Sequence, residues 1–111
     1  MTDQKKAFEK IDGQVKKDKV VVYMKGTPQI PRCGFSNRAC EVLKAHGKPF
    51  AAYDVLTDEE LWNHLDEFSG WPTFPQVFVG GKLVGGCDIV VEMHENGELA
   101  SLLKQTFGEA G

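Results

Sequence analysis

The sequence has no apolar run approaching membrane-spanning length, no excess of positive charge, and too few cysteines to staple a fold. Each absence removes a class of protein. A spanning helix needs about 20 consecutive apolar residues, and no segment offers them. With 13 Lys and Arg against 16 Asp and Glu, the net charge of -3 leaves no electrostatic footprint for nucleic acid or an anionic membrane. Three cysteines, an odd number, do not build a disulfide framework. They fit a reducing compartment, where thiols act by reactivity or by binding metal. Met1-Thr2-Asp3-Gln4-Lys5-Lys6 is charged and has no apolar stretch behind it, so no secretory signal is expected. Repeats, low-complexity tracts and linkers are also missing. With 111 residues, 41% hydrophobic and 26% charged, one ordinary domain spanning 1–111 is expected.

What is present reads as alternating helices and strands. Phe8, Ile11 and Val15 fall on one helical face, with Gly13 against them, and predict an N-terminal helix that ends in the solvated Lys16-Lys17-Asp18-Lys19. Val20 to Met24 is a continuous apolar run, the pattern of a strand buried on both faces of a parallel or mixed sheet. Ala39, Val42, Leu43 and His46 recur at helical spacing, with Gly47 as C-cap, and Phe50 to Val55 reads as a second strand. A strand–helix–strand unit implies that these two strands are parallel. Thr57 before Asp58-Glu59-Glu60 has the spacing of a capping box, and Leu61, Leu65 and Phe68 form the buried stripe behind it. Gln76 to Val79 and Lys82 to Val84 flank Gly80-Gly81, a hairpin signal. Asp88 is the expected N-cap of a closing helix, which Asn96-Gly97 should break or bend. The order is that of a thioredoxin-type α/β fold: a four-stranded mixed sheet flanked by helices, with an extra N-terminal helix.

Chemistry concentrates between the first strand and the following helix, in Lys25-Gly26-Thr27-Pro28-Gln29-Ile30-Pro31-Arg32-Cys33-Gly34-Phe35-Ser36. A cysteine just before a helix faces unpaired backbone N–H groups and the positive end of the dipole, which favour its thiolate. Lys25 and Arg32 add positive charge. Trp71-Pro72-Thr73-Phe74-Pro75-Gln76 is the second informative stretch. Pro75 stands immediately before a strand, and the residues alone leave two geometries open: a trans loop entering an edge strand, the commoner one, or a cis turn that aims the Phe74 backbone outward.

Four motifs occur in order: Lys25-Gly26-Thr27-Pro28, Cys33-Gly34-Phe35-Ser36, Trp71-Pro72-Thr73-Phe74-Pro75-Gln76 and Gly85-Gly86-Cys87-Asp88. With them the chain resembles, over nearly its whole length, a monothiol glutaredoxin of the CGFS type. The resemblance implies a cis Pro75, glutathione as ligand, and a labile [2Fe–2S] cluster held between two subunits by each Cys33 and the cysteine of a bound glutathione. It implies that Lys25 pairs with the glycine carboxylate of glutathione. The Thr73-Phe74-Pro75 backbone then receives the tripeptide as an added strand, and Cys87 and Asp88 receive its γ-glutamyl end. BolA-like proteins, delivery chaperones and apo iron–sulfur proteins are the partners it implies. The compartments are a bacterial cytoplasm or, for a mature form, the mitochondrial matrix. Members commonly have an arginine in the helix before the Trp-Pro motif, and that position here is Trp62. Either the carboxylate contact falls more on Lys25, or Trp62 is surface packing without a ligand role.

Ser36 separates two mechanisms. A second thiolate at that position would attack a mixed disulfide and close an intramolecular bond; serine cannot. A thiolate beside bound glutathione still suits iron, because soft sulfur ligands select Fe–S clusters. The expected role is therefore cluster transfer to apo-proteins, with glutathione-dependent thiol–disulfide exchange as the alternative. Cys87 reads either as a late resolving thiol or as a small residue beside the groove, and Cys40 as a buried inert thiol. Phe35 either shields the Cys33 sulfur or packs on the loop. His46, His64 and His94 show no metal-ligand spacing and read as surface or helix-end residues.

Overall fold

Five helices and four strands follow one another in the chain, here taken from a computed structural model that describes residues 3–108. Met1, Thr2 and the last three residues, and with them part of the reading of the termini, lie outside the described residues. Helix α1 is Asp3–Lys17, β1 is Val20–Met24, α2 is Gly34–Ala45 and β2 is Ala51–Asp54. Then come α3 (Glu59–Ser69), β3 (Gln76–Val79), β4 (Lys82–Gly85), α4 (Cys87–Asn96) and α5 (Glu98–Phe107). The sheet order is β2-β1-β3-β4, with β1 parallel to β2 and the other neighbours antiparallel. This is the expected mixed sheet.

All five residues of β1 are buried, and their alternation divides the core. Val20, Val22 and Met24 pack with Leu43, Val90, Leu99 and Leu103 on the α2–α4–α5 side. Val21 and Tyr23 pack with Ile11, Val15, Leu61 and Leu65 on the α1–α3 side. A strand sealed on both faces has no solvent side to leave polar, which is why its sequence is apolar without a break. At about 1.5–3 kcal/mol per fully buried side chain of this size, β1 anchors both layers. The loop that follows β1 is therefore held at a rigid strand end.

Several boundaries differ from the sequence reading, each for a local reason. Helix α3 is capped by Asp58, not Thr57; the Asp58 carboxylate accepts from the amides of Glu60 and Leu61. Lys10 of α1 reaches the other Asp58 oxygen at 2.6 Å and so ties the cap to α1. Helix α4 begins at Cys87 behind Gly86, so Asp88 is not its N-cap and no side chain caps that end. Gly97, at φ +86°, breaks the closing helix into α4 and α5, one of the two outcomes expected of Asn96-Gly97. Strand β2 is shorter than expected, four residues instead of six. Gly80 and Gly81 both take positive φ, as a tight hairpin turn requires. His46 and His94, 48 residues apart, stand 3.0 Å apart from Nε2 to Nδ1 and join α2 to α4. Burial and the neighbouring His94 lower the His46 pKa.

Candidate functional site

Cys33 occupies the N-cap position of α2, with extended backbone at φ -152° and ψ 136°. A side chain there faces the amides of the second and third helical residues, the place where a capping oxygen normally accepts. Those residues are Phe35 and Ser36. The Cys33 thiol makes no capping hydrogen bond, yet its pKa lies below the usual cysteine value of 9.0, and the Ser36 amide is the largest cause. The Phe35 amide, the Lys25 charge and the Ser36 hydroxyl act in the same direction, against the burial that opposes them. Ser36 is fully buried, and its Oγ accepts from the Lys25 backbone N–H at 3.1 Å. Its own hydrogen is thereby free to face the sulfur, and the helix start is fixed to the end of β1.

The Lys25–Arg32 segment is a closed loop rather than a loose one. The Arg32 N–H donates to the Lys25 carbonyl at 2.9 Å, and Thr27 and Ile30 exchange both backbone hydrogen bonds. Asp54, at the end of β2, accepts from the Gly26 and Leu56 amides, each at 2.9 Å. Gly26 has φ +90°, and a Cβ there would stand 2.5 Å from the Ile30 carbonyl oxygen. On the far side of the site the Phe74–Pro75 bond is cis, as the resemblance implies. Gln76, fully buried, donates from Nε2 to the carbonyls of Trp71 and Thr73 and holds that loop on the end of β3.

These elements enclose a groove of about 830 Å³. The residues that the resemblance assigns to glutathione line it, Lys25, Cys33, Phe35, Thr73, Phe74, Pro75, Cys87 and Asp88, together with Trp62; Arg32, Ser36 and Cys40 are not among its lining residues. Asp66, Trp71, Gly86 and Ile89 complete the wall. Phe35, which lines the groove with Cys33, and Ile30, in the loop before it, are each 61% exposed. In the same groove Trp62 stacks on Phe74, with ring centres 5.8 Å apart, and the Lys25 Nζ lies over the Trp62 ring. Cys87 is buried in the same groove as Cys33, and burial and then Asp88 push its thiol pKa up. Cys40 is buried against Met24, Sγ to Sδ 3.3 Å, and its pKa too is raised by burial. Among the described residues no group of three or more His, Cys, Asp or Glu can hold a metal ion.

Asp54 and Gln76 are positioning residues that sequence reasoning missed. A glutamine leading an otherwise apolar strand was the available signal for Gln76. Asp54 had none, because its partner Gly26 is 28 residues away.

The thiol order is directly measurable. The rate of alkylation by iodoacetamide should titrate with a midpoint below 9.0 for Cys33, while Cys87 and Cys40 react later. Lys25→Gln should move the Cys33 midpoint part of the way back up, since the Ser36 and Phe35 amides remain. An unmoved midpoint would refute the Lys25 contribution.

Comparison with known proteins adds to this geometry. Residues 20–84 match the family model described as Glutaredoxin. The chain is 48% identical to "Glutaredoxin 4" of Escherichia coli (strain K12), covering 89% of this chain and 86% of that protein. It is 50% identical to "Glutaredoxin-related protein 5, mitochondrial" of Danio rerio, covering 86% of this chain and 62% of the relative. The crystal structure of the buckwheat glutaredoxin–glutathione complex superposes with a TM-score of 0.85 at 28% identity, covering 97% of this chain and 96% of that one.

Proposed function

The chain belongs to the glutaredoxin family, in its monothiol branch, and from this we propose that it is a single-domain carrier of a [2Fe–2S] cluster that binds glutathione. The cluster is its cargo, passed to apo-proteins. The observation that carries the reading is one groove holding an activated Cys33 with serine, not a second thiol, three residues on. One thiolate per chain falls short of the four sulfurs that a [2Fe–2S] cluster takes. Two chains, each with one glutathione thiol, make up the count. The donor set therefore suits a homodimer that exists with its cargo, and the exposed Ile30 and Phe35 give it an apolar surface to bury.

Glutathione fits the groove by its thiol, its backbone and its two ends. Cys33 meets its sulfur, Lys25 its glycine carboxylate, and the Thr73-Phe74-Pro75 segment its extended main chain. The start of α4 suits the γ-glutamyl end. Because Gly86 caps that helix without a side chain, its first-turn amides stay open to a carboxylate. The Asp88 carboxylate, not engaged in capping, is available to the amine. Apo iron–sulfur proteins, a BolA-like protein and delivery chaperones are the proposed partners, by family likeness. No helix among the described residues is long and apolar enough to cross a membrane. The likeness to bacterial and mitochondrial relatives supports a bacterial cytoplasm or a mitochondrial matrix.

Cys87 favours one second reading. Cys87 lines the same groove as Cys33, and its thiolate, once the proton is lost, would attack the Cys33 sulfur of a Cys33–glutathione disulfide, closing a Cys33–Cys87 bond and releasing glutathione, as in a thiol–disulfide oxidoreductase. Anaerobic reconstitution with iron, sulfide and glutathione separates the two. The carrier reading expects a sulfide-to-iron charge-transfer spectrum on a dimer that requires glutathione. A colourless monomer that reduces glutathione mixed disulfides would replace it with the second reading.

A further inference from the structure

We propose that Trp62 sets the ligand specificity of the groove by making its Lys25 end indifferent to the charge of a ligand's C-terminal group. The groove then takes ester- or amide-capped γ-glutamylcysteinyl peptides about as well as the free acid. This rests on the glutathione reading above and refines it.

Three features of that end carry the inference. The Lys25 Nζ lies 5.8 Å from the centre of the Trp62 ring, where the π face attracts an ammonium. Among the described residues, no carboxylate lies within ion-pair distance of it, so the indole is the group that engages this cation. Second, the ring is fixed yet open. It stacks on Phe74 at an interplanar angle of 27°, its residue is seated in the first turn of α3 by the backbone N–H donating to the carbonyl of the N-cap Asp58, and the residue is 49% exposed. Third, Asp66 lines the same groove one helical turn after Trp62.

The balance follows from these charges. A ligand carboxylate entering here meets one ammonium, already attracted to a π face, and one carboxylate on the same wall. A capped terminus forgoes the ammonium but avoids the repulsion from Asp66 and lays its cap on the exposed indole. An exposed ion pair is worth at most about fivefold in an equilibrium, and here it is opposed. A second fixed cation in place of the indole would tip the end toward free carboxylates.

The test is a competition on the full chain. The protein is equilibrated with equal concentrations of glutathione, its glycine ethyl ester and their two symmetrical disulfides. Peptide mass mapping then gives the ratio of the two mixed disulfides on Cys33. Each exchange forms one S–S bond to the Cys33 Sγ and breaks another, and the leaving thiolate takes a proton from solvent, so no other oxidant is needed. The ratio is normalised to that of the urea-unfolded chain, which removes intrinsic thiol differences.

The normalised preference for the free acid should stay below about fivefold in the natural chain. Trp62→Phe, which keeps a π face, should hold it there, and Trp62→Arg should raise it severalfold, up to about fivefold. A natural chain that already prefers the acid by more than about fivefold overturns the proposal, as does an unmoved ratio in Trp62→Arg. Failure of both thiols to form a mixed disulfide on Cys33 would instead defeat the glutathione reading on which the proposal rests.

Discussion

Cys33→Ser should abolish both cluster assembly and mixed-disulfide formation with glutathione, while the folded protein stays at least as stable as before. The loss follows from the donor count, since the pKa of Cys87, the other thiol lining the groove, is raised by burial, and Cys40 is buried against Met24. The retained stability follows from position. Cys33 is the N-cap of α2, and its thiol makes no capping hydrogen bond. Serine is among the best residues there, because its hydroxyl oxygen accepts from the second or third helical amide. A gain of up to about 1 kcal/mol is expected. Urea unfolding gives the stability, and visible absorption after anaerobic reconstitution gives the cluster. A normal charge-transfer spectrum in Cys33→Ser would remove Cys33 from the ligand set. A large loss of stability would show that the cap geometry depends on the sulfur.

Gly26→Ala should be the most damaging small substitution in the chain. Gly26 holds φ +90°, where a residue with a Cβ is strained by about 1–3 kcal/mol. That Cβ would also stand 2.5 Å from the Ile30 oxygen and 2.7 Å from the Arg32 nitrogen. Both are backbone atoms of the closed loop and cannot rotate away as a side-chain end would. A total loss of about 3 kcal/mol or more is expected in urea unfolding. The Cys33 alkylation midpoint should rise with it, because the displaced loop carries Lys25. Gly13→Ala gives the opposite sign as a control. Nothing stands within 4 Å of its Cβ position in the middle of α1, so a gain of about 0.5–1 kcal/mol is expected. A Gly26→Ala protein within about 1 kcal/mol of the natural one would mean that the loop yields cheaply and does not hold the site.

Where a residue's role depends on its near neighbours in the chain, the sequence was readable. The unbroken, largely β-branched apolar run of Val20–Met24 reads as a strand covered on both faces, and so it is. Gly80-Gly81 between two apolar segments predicts its own turn. The helix caps were harder. Thr57 and Asp58 are both capping types, and the choice between them is made with Lys10 of α1, 48 residues away. Gly86 caps α4 in place of the better capping residue Asp88. A Cβ at Gly86 would lie 3.0 Å from the Trp71 indole nitrogen, a constraint that no local pattern reveals.

By itself, the sequence determined the α/β order, the strand pairing that a short crossover enforces, and the place of a cysteine at the start of α2, whose pKa is lowered. Each of these is written in periodicity, turn chemistry or position before a helix, within about a dozen residues. Only the tertiary structure decided how that sulfur is served. It brought the Lys25 ammonium onto the Trp62 ring, the Asp54 carboxylate under Gly26, the Gln76 amide beneath the Trp71–Thr73 turn and Cys87 into the groove of Cys33. Apart from the short-range Gln76 contact, these pairs join distant segments. They form because the doubly buried β1 holds the ends of its neighbours together, and the chain's local pattern carries no record of which side chains will meet there.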